Sequence, residues 1–447
     1  MTVSLLLSLL SAALVACGCG GWIKPRGSTA STPDAKTHAL PPAAPIPGEA
    51  DEAFQTSVRF LEARVRKDPD DFIAYNLLHG YYLRRVQETG DVQYLELAER
   101  AARASLAAAP AELNTGGLAA LAQTAYTAHD FVSARDHALK LKQLEPGKTL
   151  PYQLLAETLV ELGDYDGAQE AFRQLQRLQG DALNFATETR LARLDLLYGR
   201  AERASERYTR ALALALDASP PSRETVAWCR WQLGEVAFAR GDYEEAERRY
   251  QESLVTYPDY NRALAALGRV RAARGDIAGG IEYYERAVKR LPDPSVIAAL
   301  GDLYKLAGRE REAAAQYALV EQIARLGAHG GALYNRQLAL FYADHDLKAS
   351  EAYALAAKEY EVRRDIYGAD ALAWTALKAG KTEEARAAIK DALRLGTEDA
   401  RLFYHAGMIA RSAGDAQLAR KFLERALALN PQFDPLQARI AREALTK

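Results

Sequence analysis

Hydrophobic side chains recur at helical spacing along most of the chain, in blocks divided by short polar turns. In the clearest block, residues 227–260, the apolar positions predict two amphipathic helices. The tripeptide Gly241-Asp242-Tyr243 stands between them. A glycine accepts the left-handed backbone that ends the first helix, and an aspartate can cap the second helix by accepting its unpaired amide hydrogens. The block is therefore predicted to be a helical hairpin with a minimal loop.

The same turn recurs at a nearly constant interval. Gly163 follows His129 by 34 residues (163 − 129), and longer loops at 217–224 and 327–331 stretch the period locally. The predicted turns lie near residues 90, 129, 163, 199, 241, 275, 308, 345, 380 and 414. A period of this length indicates a protein built from stacked structural repeats.

Small and aromatic residues occupy fixed places within the units. Glycine stands on first helices at 234, 268, 301 and 407, and aromatic residues stand on second helices at 172, 208, 250, 284 and 317. Small residues let paired helix axes approach closely, and large rings fill the space that remains. This arrangement resembles the tetratricopeptide repeat, a helix-turn-helix unit of the same period. The resemblance implies an all-α fold, a right-handed superhelical solenoid of about ten repeats.

The solenoid is predicted to span residues 51–433. A single hairpin cannot bury enough surface to offset its ordering entropy, so each unit must stack on its neighbours. We expect one elongated superhelix and not a compact globule. The final segment, 434–447, starts with Asp434 and Pro435 and then alternates apolar and charged residues at helical spacing. It is predicted to be the helix that caps the stack.

The first fifty residues have the composition of an export signal followed by a tether. Residues 5–16 form an apolar run that is too short to cross a bilayer as a helix. The run ends in Leu14-Val15-Ala16-Cys17, which resembles the lipobox of bacterial lipoproteins. The resemblance implies a signal peptide at 1–16 and lipidation of Cys17. Export signals normally begin with Lys or Arg, and this chain departs from that pattern because neither precedes residue 23. The alternative is an ordinary cleaved signal peptide with an incidental Cys-Gly-Cys.

Residues 17–50 are rich in Gly, Ser, Thr, Ala and Pro, so they cannot bury a core and are expected to act as a tether. The protein is therefore expected to be exported and anchored to a membrane. By family resemblance, Gly18 after the cysteine favours the outer membrane, facing the periplasm, if the host is Gram-negative.

Composition and motifs argue against several classes of function. The chain has 57 Lys and Arg against 59 Asp and Glu, so no overall field attracts nucleic acid. Its 3 cysteines cannot crosslink 447 residues into a stable domain. No His-Glu-x-x-His pair is present for zinc, and the glycine-rich residues 327–331 lack the Lys-Ser/Thr of a phosphate-binding loop. We therefore expect no enzyme activity, no cofactor and no metal site.

Candidate binding residues follow from the resemblance. In tetratricopeptide-repeat proteins the first helices line the concave face, where peptides or helices of a partner bind. The candidates on this face are Tyr81, Tyr126, Trp228, Trp231, Glu235, Phe238, Arg262, Arg269, Lys305, Trp374 and Tyr404. Tyr, Trp and Arg often carry binding energy because they bury large areas. The main patch is expected to contain Trp228, Trp231, Phe238, Arg262 and Arg269. Alternatively, its aromatic side chains pack between adjacent hairpins.

These observations favour a non-catalytic scaffold or adaptor of the bacterial cell envelope that holds peptides or helices of protein partners in the concave groove. The alternative is a carrier or sensor that binds a small molecule or a glycan, for which the aromatic groove is the only indication.

Overall fold

The computed structural model describes residues 41–46, 51–180, 183–329 and 336–446. All regular secondary structure in these ranges is α-helical. One helix, α1 (Asp51–Lys67), precedes ten hairpins, and α22 (Gln437–Thr446) follows them. The hairpins are α2 (Phe72–Thr89) with α3 (Gln93–Ala108), α4 (Thr115–Thr127) with α5 (Phe131–Leu144), α6 (Thr149–Leu162) with α7 (Tyr165–Gln179), α8 (Phe185–Leu197) with α9 (Ala201–Asp217), α10 (Arg223–Ala239) with α11 (Tyr243–Thr256), α12 (Asn261–Ala273) with α13 (Ile277–Arg290), α14 (Pro294–Leu306) with α15 (Glu310–His329), α16 (Arg336–Asp344) with α17 (Ala349–Tyr360), α18 (Ile366–Lys378) with α19 (Thr382–Ala392), and α20 (Ala400–Ser412) with α21 (Ala416–Leu429). The predicted all-α repeat fold is confirmed.

The position of each hairpin turn depends on residues within the turn itself. The turns contain a residue with positive φ, as at Gly163 (80°) and Gly241 (75°). Near residue 345 this residue is Asp346, one position beyond the predicted turn. In the α10–α11 turn, the carboxylate of Asp242 accepts a hydrogen bond from the Glu245 amide at 3.1 Å and so caps the second helix.

Within a hairpin, a glycine on the first helix faces a ring on the second. A Cβ atom on Gly234 would lie 2.4 Å from the Tyr250 ring, and one on Gly301 would lie 2.6 Å from the Tyr317 ring. These separations are far below a van der Waals contact, so the two helices can approach this closely only because the position carries no side chain.

Hairpins that are distant in the sequence also touch, across one turn of the superhelix. The last carbonyl groups of a helix have no partner within that helix. Two first helices receive a missing donor from the second half of the chain, and the Phe238 carbonyl, which already accepts the Gly241 amide at 2.9 Å, receives an additional one. The pairs are the Arg364 amide with the Leu162 carbonyl (3.2 Å), the Asn430 side-chain amide with the Phe238 carbonyl (2.7 Å), and the Thr397 hydroxyl with the Leu197 carbonyl. We call this line of contacts, between the turns after α6, α8 and α10 and the loops before α18, α20 and α22, the seam.

Tyrosines that follow the turn glycine complete the seam. The hydroxyl of Tyr165 accepts a hydrogen bond from the Ile366 amide at 2.9 Å, and that of Tyr243 accepts one from the Gln432 amide at 2.9 Å. The turn glycines of four later hairpins make no such close contact. No described atom lies within 4 Å of a Cβ placed on the glycine at 275, 308, 380 or 414. The sequence predicted a coil held together by stacking between neighbours, and the seam adds contacts to that stacking.

A network of buried charges crosses the seam. Arg363 lies 2.6 Å from the Glu161 carboxylate, which also pairs with Arg193, and Arg336 lies 2.7 Å from Asp365. Burial by itself would raise the pKa of Glu161, but the two arginines outweigh burial and lower it to about 2. Arg193–Glu161 and Arg336–Asp365 each lie on one side of the seam, so a slip between the two superhelical turns would separate Arg363 from Glu161, and their burial makes that separation costly. The network therefore favours one register.

We expect Gly163→Ala to destabilise the protein more than Gly380→Ala. Both glycines have similar positive φ values (80° and 75°), so alanine strains the two backbones to a similar extent. At position 163 the new Cβ would also lie 2.2 Å from the Arg364 carbonyl oxygen across the seam. The extra loss in free energy of unfolding should be about 1–3 kcal/mol in urea denaturation. Equal losses in the two variants would show that the seam contributes no stability.

Glu161→Gln should lower the free energy of unfolding by about 3–5 kcal/mol at neutral pH, because it removes the buried charge partner of Arg193. The folded-state pKa of Glu161 is about 2, below its ordinary value of 4.5, so the carboxylate stabilises the fold above pH 4.5. That contribution is lost as the pH falls from 4.5 toward 2. The difference between variant and wild type in urea unfolding should shrink over this range.

The matched control is Glu383→Gln. Glu383 forms an ion pair with Arg386 at 3.1 Å, but its side chain is 81% exposed, so we expect little change in stability. A Glu161→Gln effect that stays constant from pH 7 to pH 2 would contradict the assignment.

Candidate partner-binding cavity

The superhelix contains a cavity of about 680 Å³. Much of its wall comes from α10, α12, α14 and the loops before α12 and α14. Gly90 after α2, His129 after α4, Gln337 on α16 and Arg401 on α20 also line it. These positions are far apart in the sequence. They share one cavity because the superhelix closes on itself.

An ion pair forms part of the cavity wall. Arg269 lies 2.6 Å from the carboxylate of Glu235, which also accepts a hydrogen bond from the Tyr250 hydroxyl at 2.8 Å. The guanidinium of Arg269 lies 4.0 Å from the centre of the Phe238 ring. Burial, reinforced by Glu235, raises the pKa of Tyr250. Burial opposes the charge on Arg269, but Glu235 outweighs it and raises the pKa of Arg269. Tyr250 therefore stays protonated and Arg269 stays charged.

Aromatic rings line another part of the same cavity. The guanidinium of Arg262 lies 5.2 Å from the centre of the Trp231 ring. The rings of Tyr257 and Tyr260 stack with centroids 5.5 Å apart. The Tyr260 hydroxyl is buried and has no hydrogen-bond partner among the described residues, and burial raises its pKa. Ring faces and guanidinium groups together can hold both apolar and polar parts of a ligand.

Of the predicted binding residues, four are brought together in this cavity. They are Trp231, Glu235, Arg262 and Arg269. The other two members of the predicted patch are buried between helices. Trp228 is 5% exposed and packs edge-on against Tyr208, with ring centroids 5.9 Å apart. Phe238 is also 5% exposed and lies beneath Arg269.

The remaining candidates lie outside the cavity lining. Tyr126, Trp374 and Tyr404 are buried. The indole nitrogen of Trp374 donates a hydrogen bond to Asp344 at 2.8 Å, so this ring is held within the core. Tyr81 is half-buried among the helices at the start of the solenoid, and Lys305 is exposed on α14. The predicted lipidation site Cys17 lies outside the described residues.

Sequence reasoning missed the loop residues of the cavity. Tyr257 and Tyr260 precede α12, and Leu291 and Asp293 precede α14. The sequence prediction considered only first helices as the concave face. The aromatic pair around Pro258 and Asp259 was the available signal, because two rings in a short loop between hairpins are more than a turn requires.

The described residues hold no arrangement that points to catalysis or metal binding. Within them, no group of three or more His, Cys, Asp or Glu side chains could hold a metal ion. Cys229 is fully buried, and burial raises the pKa of its thiol, so it is not an available nucleophile.

Comparison with known proteins supports the repeat assignment. Tetratricopeptide-repeat family models match residues 151–181, 183–259, 232–293 and 371–432. The chain is 24% identical over 333 residues to the TPR repeat-containing protein YpiA of Bacillus subtilis (strain 168), covering 74% of this chain and 67% of YpiA. It is 26% identical over 217 residues to the cellulose synthase operon protein C of Xanthomonas axonopodis pv. citri (strain 306), covering 47% of this chain. This chain spans only 14% of the length of that second relative.

Among solved structures, the crystal structure of PilW, a widely conserved type IV pilus biogenesis factor, is similar over 46% of this chain and 91% of PilW. The identity is 20% and the TM-score is 0.38. The helical hairpins and the family matches together identify residues 151–181, 183–293 and 371–432 as tetratricopeptide repeats, within a fold that is helical and repetitive over its described length.

Proposed function

We propose that this protein is a non-catalytic interaction scaffold that holds a segment of a partner protein in its interior cavity. The observation that carries the proposal is the convergence of Trp231, Arg262 and Arg269 with Tyr257 and Tyr260 on one cavity. Large rings and arginines are the side chains that most often dominate protein binding. Tetratricopeptide repeats generally bind protein partners, which supports the same conclusion.

The mixed chemistry of the lining favours a polypeptide as the ligand. Carboxylates at Glu224 and Asp259 lie in the same wall as the guanidiniums of Arg262 and Arg290. A polyanion such as nucleic acid would be repelled by the carboxylates. A polypeptide segment instead offers amide donors, carbonyl acceptors and apolar side chains, and each of these has a matching group in the wall.

The volume of the cavity favours a second candidate function. Sites for small molecules typically enclose about 300–1,000 Å³, and this cavity, at about 680 Å³, falls within that range. A carrier or sensor for a small molecule or a glycan would use the same aromatic wall. Thermal-shift screening with such ligands separates the two functions, since only the second predicts stabilisation by a free small molecule.

We also propose that the scaffold works at the bacterial cell envelope, anchored through Cys17 and tethered by residues 17–50. Among the helices described, none combines the length and the apolar character needed to span a bilayer. The support for an anchor is the lipobox-like Leu14-Val15-Ala16-Cys17 together with the tether composition. Acyl chains contribute about 0.8 kcal/mol per buried methylene, so several chains on one cysteine would hold the protein firmly to a membrane.

A photo-crosslinking amino acid at position 262 should form adducts with a discrete protein partner in living cells. The same amino acid at position 311, which is exposed on α15 and outside the cavity lining, is the matched control and should form none. The measurement is a mobility shift of the tagged protein after irradiation, with mass spectrometry of the shifted band. Equal adducts at the two positions, or a stable partner that crosslinks at neither, would contradict binding in the cavity.

Metabolic labelling with a clickable fatty acid should mark the protein, and Cys17→Ser should abolish the label. Cys19→Ser is the matched control, two residues away, and should leave the label unchanged. The readout is fluorescence of the purified protein after click chemistry. An unlabelled wild-type protein, or a label lost only with Cys19, would reject lipidation of Cys17.

A further inference from the structure

The segment before the first helix is seated on the solenoid close to the cavity. Residues 41–46, Pro-Pro-Ala-Ala-Pro-Ile, have no regular secondary structure. The Ile46 amide donates a hydrogen bond to the Thr256 carbonyl at 3.2 Å, although the two residues are 210 positions apart (256 − 46). The Ile46 side chain is half-buried against the hydrophobic cluster that contains Trp228, Tyr257 and Tyr260.

The acceptor in this contact is a helix end that lacks a partner of its own. Thr256 is the last residue of α11, and the final carbonyl groups of a helix have no amide donor within it. At the seam, the carbonyls of Leu162 and Leu197 have the same need and receive donors from distant hairpins. At Thr256 the donor comes from the segment that precedes the solenoid. One main-chain bond and one aliphatic side chain in an aromatic cluster form a recognisable mode of peptide binding.

Proline makes the segment suited to such binding. Pro41, Pro42 and Pro45 fix their own φ angles and have no amide hydrogen. A proline-rich chain therefore loses little conformational entropy when it is ordered on a surface. Ala44 and Pro45 are exposed and Ala43 is half-buried, and Ile46 is the residue that packs against the hydrophobic cluster.

The same two tyrosines connect the segment to the cavity. Tyr257 and Tyr260 belong to the cluster that Ile46 packs against, and both also line the cavity. We propose that residues 41–46 are a cis ligand of a site formed by Thr256, Tyr257 and Tyr260, and that this ligand holds the tyrosine pair in place at the cavity wall. The site takes an extended, proline-rich segment with an aliphatic residue in the place of Ile46.

The test uses the full chain and a fluorescent peptide with the sequence of residues 39–48. Ile46→Asp places a carboxylate in the half-buried site and should release the cis segment. Ala44→Asp introduces the same charge at an exposed position two residues away and should leave the segment seated. Because the cis segment competes at high effective concentration, the peptide should bind the Ile46→Asp chain at least about tenfold more tightly than it binds the wild type or the Ala44→Asp chain. Fluorescence anisotropy measures the three affinities.

Two outcomes would overturn the proposal. One is that the peptide binds all three chains equally or fails to bind the Ile46→Asp chain. The other is that a peptide carrying Asp in place of Ile46 binds as well as the original. Hydrogen exchange on the wild-type chain gives an independent check, since the Ile46 amide should exchange more slowly than the Ala44 amide after correction for intrinsic rates. These measurements use no partner protein. The cis-ligand proposal can therefore fail while crosslinking at position 262 supports the proposed function, and crosslinking can fail while the cis-ligand proposal holds.

Discussion

The shape of this protein depends on helix-terminal carbonyl groups that no residue of the same helix can satisfy. A buried carbonyl without a donor is costly, so each must find a partner elsewhere. At Leu162 and Leu197 that partner lies in the second half of the chain, and at Phe238 the second half adds a donor to the one that Gly241 supplies in the local turn. Stacking between neighbouring hairpins alone would not provide these donors. The seam brings the two superhelical turns into contact and so determines which distant hairpins share a cavity.

Buried charges favour one alignment of the two sides of the seam. Desolvating Arg363 and Glu161 costs free energy, and their attraction compensates only when the geometry is good. The net gain in folding free energy is therefore smaller than the number of ion pairs suggests. A misaligned seam would separate Arg363 from Glu161, which is costly because both groups are largely buried. Hydrogen bonds hold the two sides of the seam together, and this ion pair favours one register.

The interior cavity and the segment before the solenoid meet at the loop between α11 and α12. Tyr257 and Tyr260 lie in this loop. They line the cavity, and they also belong to the hydrophobic cluster that Ile46 packs against. The loop between α11 and α12 therefore contributes both to the cavity wall and to the contact with Ile46.

The sequence alone indicated an all-α chain of helical hairpins, because a hairpin depends on residues a few positions apart. The positive φ of Gly241 and the cap by Asp242 act within one turn of chain. Tertiary structure decided the rest. Trp228 and Trp231 stand on the same helix, yet one is buried against Tyr208 and the other lines the cavity, and which ring meets which surface depends on how neighbouring helices pack. The seam has no local signature at all, because the meeting of its two sides results from small rotations accumulated over several hairpins.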